Sequence, residues 1–440
     1  MDKILAFFLA LISIFTGPLS VSKTVGTEPI TAAGREYRFD RDGLILGVYG
    51  FPKDDKYDTL LEWFKDASLD FYVGLWGDEL NDSDLDELEE NGLGIIAPNN
   101  AYYRGLNRSC IWGIDLYDEP NSADFAALAE QVENLYAEDA NRLPLINLLP
   151  MYAAGGQLGD DLKLPGAVDR LPIDGCNVPS YNYRTHLAKY VSTVDSDVIS
   201  ADVYPLNIDA ETGELSTYEY WLRNLDILAD ACRSTGRDLW IITQAASFSE
   251  NGNGPHRGDT PEDQRWQNYV SLSFGAKAII YGCYYTGWWD PSSHMIDDGG
   301  SRTSTYYAVK QVNEEMAPIK AVYGDYDYTG TFILNRLDPN AAGAGLGLTR
   351  FDCRFKPTVV TADPVLCGCF SEKNGNGSAF VFTNMYEPQT GKDASFTAFF
   401  PGAKSISVFR KGEVTHVDGS SISLTLENRE GVFVTVEKER

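Results

Sequence analysis

The chain has 440 residues and a formal net charge of −28, from 64 acidic against 36 basic side chains. Such a surface repels phosphate backbones and excludes nucleic acid as a partner. Hydrophobic residues make up 43% of the chain, too many for wholesale disorder, and the 12% of aromatic residues suits a protein that stacks rings against sugars.

The N-terminus reads "MDKILAFFLALISIFTGPLSVSK". Its apolar run, Ile4 to Phe15 behind Lys3, is too short for a comfortable membrane span. It reads as a secretory signal peptide over residues 1–22, ending near Ser20 or Ser22. The mature protein is therefore expected to be secreted, at the cell surface or periplasmic, with no stable membrane insertion after cleavage.

From residue 44 to 289 apolar, strand-like runs alternate with amphipathic stretches. Eight such runs occur: "LILGVYGFP" (44–52), "LDFYVGLWG" (69–77), "LGIIAPNN" (93–100), "CIWGIDLYDEP" (110–120), "LPLINLLP" (143–150), "DVISADVYPL" (197–206), "LWIITQAAS" (239–247) and "AKAIIYGCYYTGWW" (276–289). They are rich in β-branched and aromatic residues, as strands buried on both faces should be. Between them the apolar spacing turns helical, clearest in "NSADFAALAEQVENLYAED", with Asn121 or Ser122 as the expected N-cap. "TPEDQRWQNYVSLSFG" opens with Thr260 as N-cap and Pro261 at the first helical position. Eight strands alternating with helices predict an α/β fold, a (β/α)8 TIM barrel over residues 35–325. The alternative is an open doubly wound sheet; the count of eight and the lack of a Gly-rich nucleotide turn favour the barrel. After residue 325 short alternating runs punctuated by turn residues predict a C-terminal antiparallel β-sandwich over 326–440.

Seven cysteines stand at scattered spacings. Cys232 and Cys283 read as core thiols. Cys367-Gly-Cys369 is a close pair, but a lone C-x-C is a weak metal signal, and the four histidines do not pair at ligand spacing. No metal and no cofactor are expected.

Barrel enzymes place their sites at the C-terminal ends of the strands. Here strand 4 ends in "YDEP", which sets Asp118 and Glu119 at the mouth. Two carboxyls there repel each other, so one pKa should rise, as a general acid requires. Tyr49 ends strand 1, Trp76 strand 2 and Asn99 strand 3; Asn147 lies on strand 5, Asp202 and Tyr204 end strand 6, Gln244 ends strand 7, and Trp288, Trp289 and Asp290 follow strand 8. Acids, amides and aromatics converging on one face make a sugar site, with an oligo- or polysaccharide as the partner. Each has a plainer reading as well: Asp118 as a helix cap, Trp76 and Trp288 as core filler, Gln244 as a partner for backbone groups, Asp202 as a loop anchor.

With "DEP" on strand 4, the pattern resembles the (β/α)8 glycoside hydrolases of the clan-A type. There strand 4 ends in Asn-Glu and the Glu is the acid/base; the resemblance gives that role to Glu119, with Asp118 in place of the Asn. The clan's nucleophile ends strand 7, where this chain has Gln244, and an amide cannot form a glycosyl ester. The blocks "DEPN", "NLLPMYA", "DVYPL", "TQAAS" and "GAKAIIYGCYYTGWW" also resemble uncharacterised barrel proteins of gut bacteria assigned to the glycoside hydrolases. A partial resemblance is to the family 18 chitinases, whose D-x-D-x-E lies on one face of strand 4. Asp115, Tyr117 and Glu119 have that spacing, the middle acid being replaced, and Tyr204 and Trp288 stand at comparable places.

The expected function is a secreted glycoside hydrolase in which Glu119 protonates the leaving oxygen. Asp202 is the first candidate for the second carboxylate and Asp118 the next, with Asp290 and Glu250 behind them. Neighbours on a strand point to opposite sides, which pairs Glu119 with Asp202 and leaves Asp118 to bind a hydroxyl. The alternatives are a non-catalytic carbohydrate-binding barrel, a substrate-assisted hydrolase of acetamido sugars, and a surface scaffold whose sandwich does the binding.

Overall fold

The computed structural model describes residues 38–39, 41, 43–153, 155–159, 171–173, 176–178, 180–209, 211–218, 220–248, 256–285, 287, 290–335, 341–342 and 357–438. The expected signal peptide lies outside the described residues.

Eight strands each lead into a helix: β1 (Ile45–Lys53) and α1 (Tyr57–Asp66), β2 (Phe71–Gly77) and α2 (Asp82–Glu90), β3 (Gly94–Pro98) and α3 (Ala101–Gly105), β4 (Ile111–Asp118) and α4 (Phe125–Glu138), β5 (Leu143–Leu148) and α5 (Ser180–Thr193), β6 (Val198–Asp202) and α6 (Trp221–Thr235), β7 (Asp238–Gln244) and α7 (Pro261–Ser273), β8 (Ala276–Gly282) and α8 (Ser304–Tyr323). The strands close into a parallel barrel, with β1 pairing to both β2 and β8. Thr260 caps α7 as expected, its side chain accepting from the Asp263 N–H. The start of α4 differs from expectation. Asn121 accepts from the Ala123 N–H at 3.0 Å and so caps the turn ahead of the helix, which begins at Phe125.

The barrel interior changes character along its axis. Its lower end is filled by Phe39, Phe71, Trp112 and Trp240, with Val73, Ile96, Leu143, Leu145, Val198, Ile242 and Ile280 packed among them. The Arg41 guanidinium lies 3.7 Å from the Trp112 ring centre and covers this plug. One layer higher the same inward-facing rows turn polar, at Tyr49, Asp115, Asn147, Ser200 and Asp202. Apolar filling rigidifies the strands, and the polar layer opens at their C-terminal ends.

The C-terminal region forms β9 (Tyr326–Leu334), β10 (Thr358–Thr361), β11 (Val365–Glu372), β12 (Ser378–Asn384), β13 (Ala394–Phe399), β14 (Ala403–Arg410), β15 (Glu413–Asp418), β16 (Ser421–Leu426) and β17 (Gly431–Lys438). A six-stranded antiparallel sheet, β9-β11-β12-β17-β14-β15, faces a three-stranded one, β10-β13-β16. Cys367, Phe380, Phe382, Phe396, Ile422 and Val434 fill the space between them. The other face of the larger sheet packs on the barrel, which is why every residue of β12 is buried. The approach is close: a Cβ on Gly431 would meet the Tyr269 ring of α7 at 2.3 Å. Trp266 of α7 donates to the Asn384 carbonyl at 2.9 Å, and Arg429 meets the buried Asp263 at 2.7 Å, so the two parts are joined by hydrogen bonds as well as by packing. Among the described residues, no helix is long and apolar enough to cross a membrane.

Candidate active site

The site is built from inward-facing positions of β4, β5 and β6. Alternation along β5 carries Leu143 and Leu145 into the barrel core and brings Asn147 to the layer above. On β6, Val198 is followed on the same face by Ser200 and Asp202. Asn147 and Ser200 pair directly across the two strands. The Ser200 hydroxyl donates to Asn147 Oδ1 at 2.9 Å. Asn147 Nδ2 then donates to Asp118 Oδ1 and to Asp202 Oδ1, each at 3.0 Å.

Strand β4 departs from simple alternation. Its register against β5 slips between Asp115 and Tyr117, a bulge that turns Asp115 and Asp118 to the same side and leaves Tyr117 43% exposed. This corrects the chitinase-like expectation: Asp115, Tyr117 and Glu119 do not share a face, because the bulge removes the period of two that would align them. Opposed neighbours on one strand also no longer describe Asp118 and Glu119. Asp118 closes β4, and Glu119 has left the strand with a φ of +53°. The left-handed region costs a non-glycine residue roughly 1–2 kcal/mol.

A second departure lies on β2. Gly74 has a φ of +66°, which reverses the alternation there. Leu75 turns out to the helices, and the Trp76 ring lies over Tyr49 with ring centres 5.8 Å apart. A Cβ on Gly74 would stand 3.0 Å from both rings. Trp76 keeps 41% of its surface exposed, as does Tyr152 in the loop after β5.

Electrostatics separate the acids. Asp202 is almost fully buried, and burial, then the charges of Glu119 and Asp118, push its carboxyl well above the usual carboxylate range against the pull of the Asn147 amide. Asp115 is pushed up to about 7 by burial and by Asp118, while the Tyr49 hydroxyl, 3.5 Å away, opposes the rise. Asp118 keeps accessible surface at the mouth, yet protein surrounds its carboxyl on most sides; that enclosure raises its pKa and the Asn147 hydrogen bond counteracts it. The phenol of Tyr152 is held protonated by burial of its hydroxyl and by the charges of Asp202 and Glu119. Burial and Asp202 do the same for Tyr204, whose ring meets Phe248 edge-on at 6.2 Å.

Among the predicted site residues, Glu119, Asp118, Asp202 and Asn147 come together, with Tyr49, Trp76 and Tyr204 beside them. Asn147 uses its amide on Ser200 and the two acids, which makes it a holder of carboxyls. Gln244 is completely buried. Its Nε2 donates to the carbonyls of Leu206 (3.1 Å) and Arg257, and its Oε1 accepts from the Leu206 N–H at 3.1 Å. The chain after β6 and the segment at Arg257 thus roof the end of β7 and take Gln244 from the ligand side, so the expectation that it binds substrate is corrected. Asn99 is exposed and accepts from Arg104, whose guanidinium pairs with Glu138 of α4 on the barrel's outer wall. Asp290 is exposed and caps the 3-10 turn Pro291–Ser293, accepting from the Ser292 N–H and hydroxyl, which lower its pKa. Trp288, Trp289 and Glu250 lie outside the described residues.

Three participants carry little sequence signal. Ser200 sits inside an apolar run. Tyr152 follows β5 in the quoted "NLLPMYA". Asp115 lies three residues before the end of β4, within an apolar run. Among the described residues, no group of three or more His, Cys, Asp or Glu is arranged to hold a metal. Cys232 and Cys283 are buried as expected, and the Cys367 and Cys369 sulfurs lie 4.0 Å apart in the sandwich core.

The fold and the mouth define the class: a (β/α)8 barrel with a β-rich C-terminal region and a cluster of carboxyls at the strand ends. No family model and no curated protein matches the chain. Among solved structures it is similar to a β-galactosidase from the psychrophilic Marinomonas ef1 (TM-score 0.43, 12% identity), over 64% of this chain and 60% of that enzyme. It is similar to a glucosidase from Croceicoccus marinus (TM-score 0.42, 10% identity), over 94% and 98% of the two chains. An α-L-arabinofuranosidase from Thermotoga maritima gives a TM-score of 0.43 at 9% identity, over 94% and 98%. These neighbours are glycoside hydrolases.

Proposed function

We propose that the protein is a glycoside hydrolase that cleaves O-glycosidic bonds of an oligo- or polysaccharide by carboxylate acid/base catalysis at the mouth of its barrel. The grouping of Asp202 and Asp118 on the Asn147 amide, with Glu119 near enough for its charge to act on Asp202 and Tyr152, carries this reading. Two interacting carboxyls in unlike surroundings titrate apart, and the more buried one keeps the proton. Asp202 is then the donor to the leaving oxygen. Glu119, at the solvent-facing end of β4, is the ionised partner that attacks the sugar or activates a water. These roles reverse those expected from the sequence, because burial rather than chain position selects the group that stays protonated. Asp118 takes a sugar hydroxyl, and Trp76 and Tyr152 stack on pyranose faces. Secretion through residues 1–22 belongs to the same reading and rests on the apolar run Ile4 to Phe15.

A second reading is a carbohydrate-binding barrel without turnover. It is favoured by Gln244, a buried amide at the end of β7. Incubation with a panel of glycans, following both bound ligand and new reducing ends, separates the two. The hydrolase reading expects reducing ends from the wild type and none from Asp202→Asn or Glu119→Gln. Binding without reducing ends across the panel supports the second.

A further inference from the structure

We propose that Asn147 is a positioning residue: oriented by Ser200, it keeps the Asp118 and Asp202 carboxyls from pairing with each other and holds both toward the ligand side. Its consequence for turnover rests on the hydrolase reading; the arrangement itself does not.

The geometry is compact. One amide nitrogen lies 3.0 Å from an oxygen of each acid, so those two oxygens stand no more than twice that distance apart. Carboxyls at such range relax into a pair sharing one proton unless a donor intervenes. An amide supplies two N–H groups and no charge, so it can satisfy both acids at once. Which end of the amide faces them is decided from the other side. The Ser200 hydroxyl, completely buried, donates to Asn147 Oδ1 at 2.9 Å and thereby turns Nδ2 toward Asp118 and Asp202. The titratable groups facing the pair are Tyr49 from β1, Asp115 from β4, Glu119 just after β4, Tyr152 after β5, Tyr183 from α5 and Tyr204 after β6. None of them is a cation, and the Asn147 hydrogen bonds favour the ionised form of both carboxyls.

The test uses the full chain and the variants Asn147→Ala, Ser200→Ala and the two combined. Asp carboxyls are 13C-labelled, assigned through Asp118→Asn and Asp202→Asn, and titrated by NMR alongside a pH profile of turnover. In Asn147→Ala the higher of the two titration midpoints should move up by about one unit or more. Turnover should fall about 10²-fold in kcat with KM little changed, as for a misplaced reacting group. The alkaline limb, which requires Asp202 to keep its proton, should move to higher pH. Ser200→Ala should shift the midpoints in the same direction by less, and adding it to Asn147→Ala should change nothing further. Unchanged midpoints in folded Asn147→Ala overturn the proposal. If that variant does not fold, unchanged midpoints in Ser200→Ala overturn it. A wild type inert on every glycan refutes the hydrolase reading, while the titrations still decide the role of Asn147.

Discussion

The backbone N–H of Glu119 donates to the carbonyl oxygen of Asn147 at 2.8 Å, although the chain at Glu119 has already turned to a φ of +53°. The bond ties the first residue beyond β4 to β5. A left-handed glutamate is kept where the direction of its carboxyl matters, and a strained residue beside the buried Asp202 and the Asp118 carboxyl marks a site rather than a turn chosen for stability.

Glycine at this position should stabilise the fold and abolish function. Glu119→Gly removes the Cβ conflict and should raise stability by up to about 1 kcal/mol, seen as a higher Tm. Glu119→Gln keeps the conflict and should lower kcat/KM by roughly 10²–10⁴. A less stable glycine variant would refute the strain, and a fully active Gln variant the catalytic role.

Asp202→Asn should eliminate turnover and leave the protein folded, since the amide keeps the shape of an acid whose uncharged form burial already favours. The folded pKa of Asp202 is raised, so the folded state binds its proton more tightly than the unfolded chain does. Its ionisation therefore opposes folding as pH rises. The Asn variant should gain Tm over wild type at alkaline pH and little at acid pH. An equal Tm difference at both ends of the range would show that Asp202 is not held protonated.

Asp115 gives the same sign within a narrower window. With its pKa pushed up to about 7, wild type should lose stability as pH rises from the ordinary carboxylate range through 7 and no further beyond it. Asp115→Asn should flatten that part of the curve. Thermal melts of both proteins at acid, neutral and alkaline pH read the difference directly.

A carboxylate at the end of β7 should not create activity. In Gln244→Glu an acceptor replaces the amide N–H groups that face the carbonyls of Leu206 and Arg257, leaving buried oxygens opposed. A loss of about 1–3 kcal/mol or more is expected, with no gain in turnover. An active, equally stable variant would mean that the roof over β7 opens in solution.

Trp76→Ala should act on binding. The ring is 41% exposed above Tyr49 and offers a face to a sugar. Its removal should raise KM by roughly 3–10-fold, the scale of one aromatic contact, with kcat changed less. A selective fall in kcat would place the ring nearer the reacting bond.

The sequence alone determined the barrel, the sandwich and the strand that carries the acids. These follow from periodicity and from turn residues, which act over a few neighbours and leave their mark in the local order of side chains. Eight apolar runs sufficed for β1 to β8, and Pro120 after Glu119 was enough to set that acid near the mouth. What the tertiary structure decided depends on groups brought together from distant parts of the chain. The bulge beside Tyr117 is a matter of register against β5. The burial of Gln244 depends on Leu206 and on Arg257, 38 and 13 residues away. The proton on Asp202 depends on enclosure and on the charge of Glu119, 83 residues earlier in the chain. A carboxyl's residue type is written in the sequence; its proton is set by the dielectric and the charges around it, and only the folded barrel supplies those.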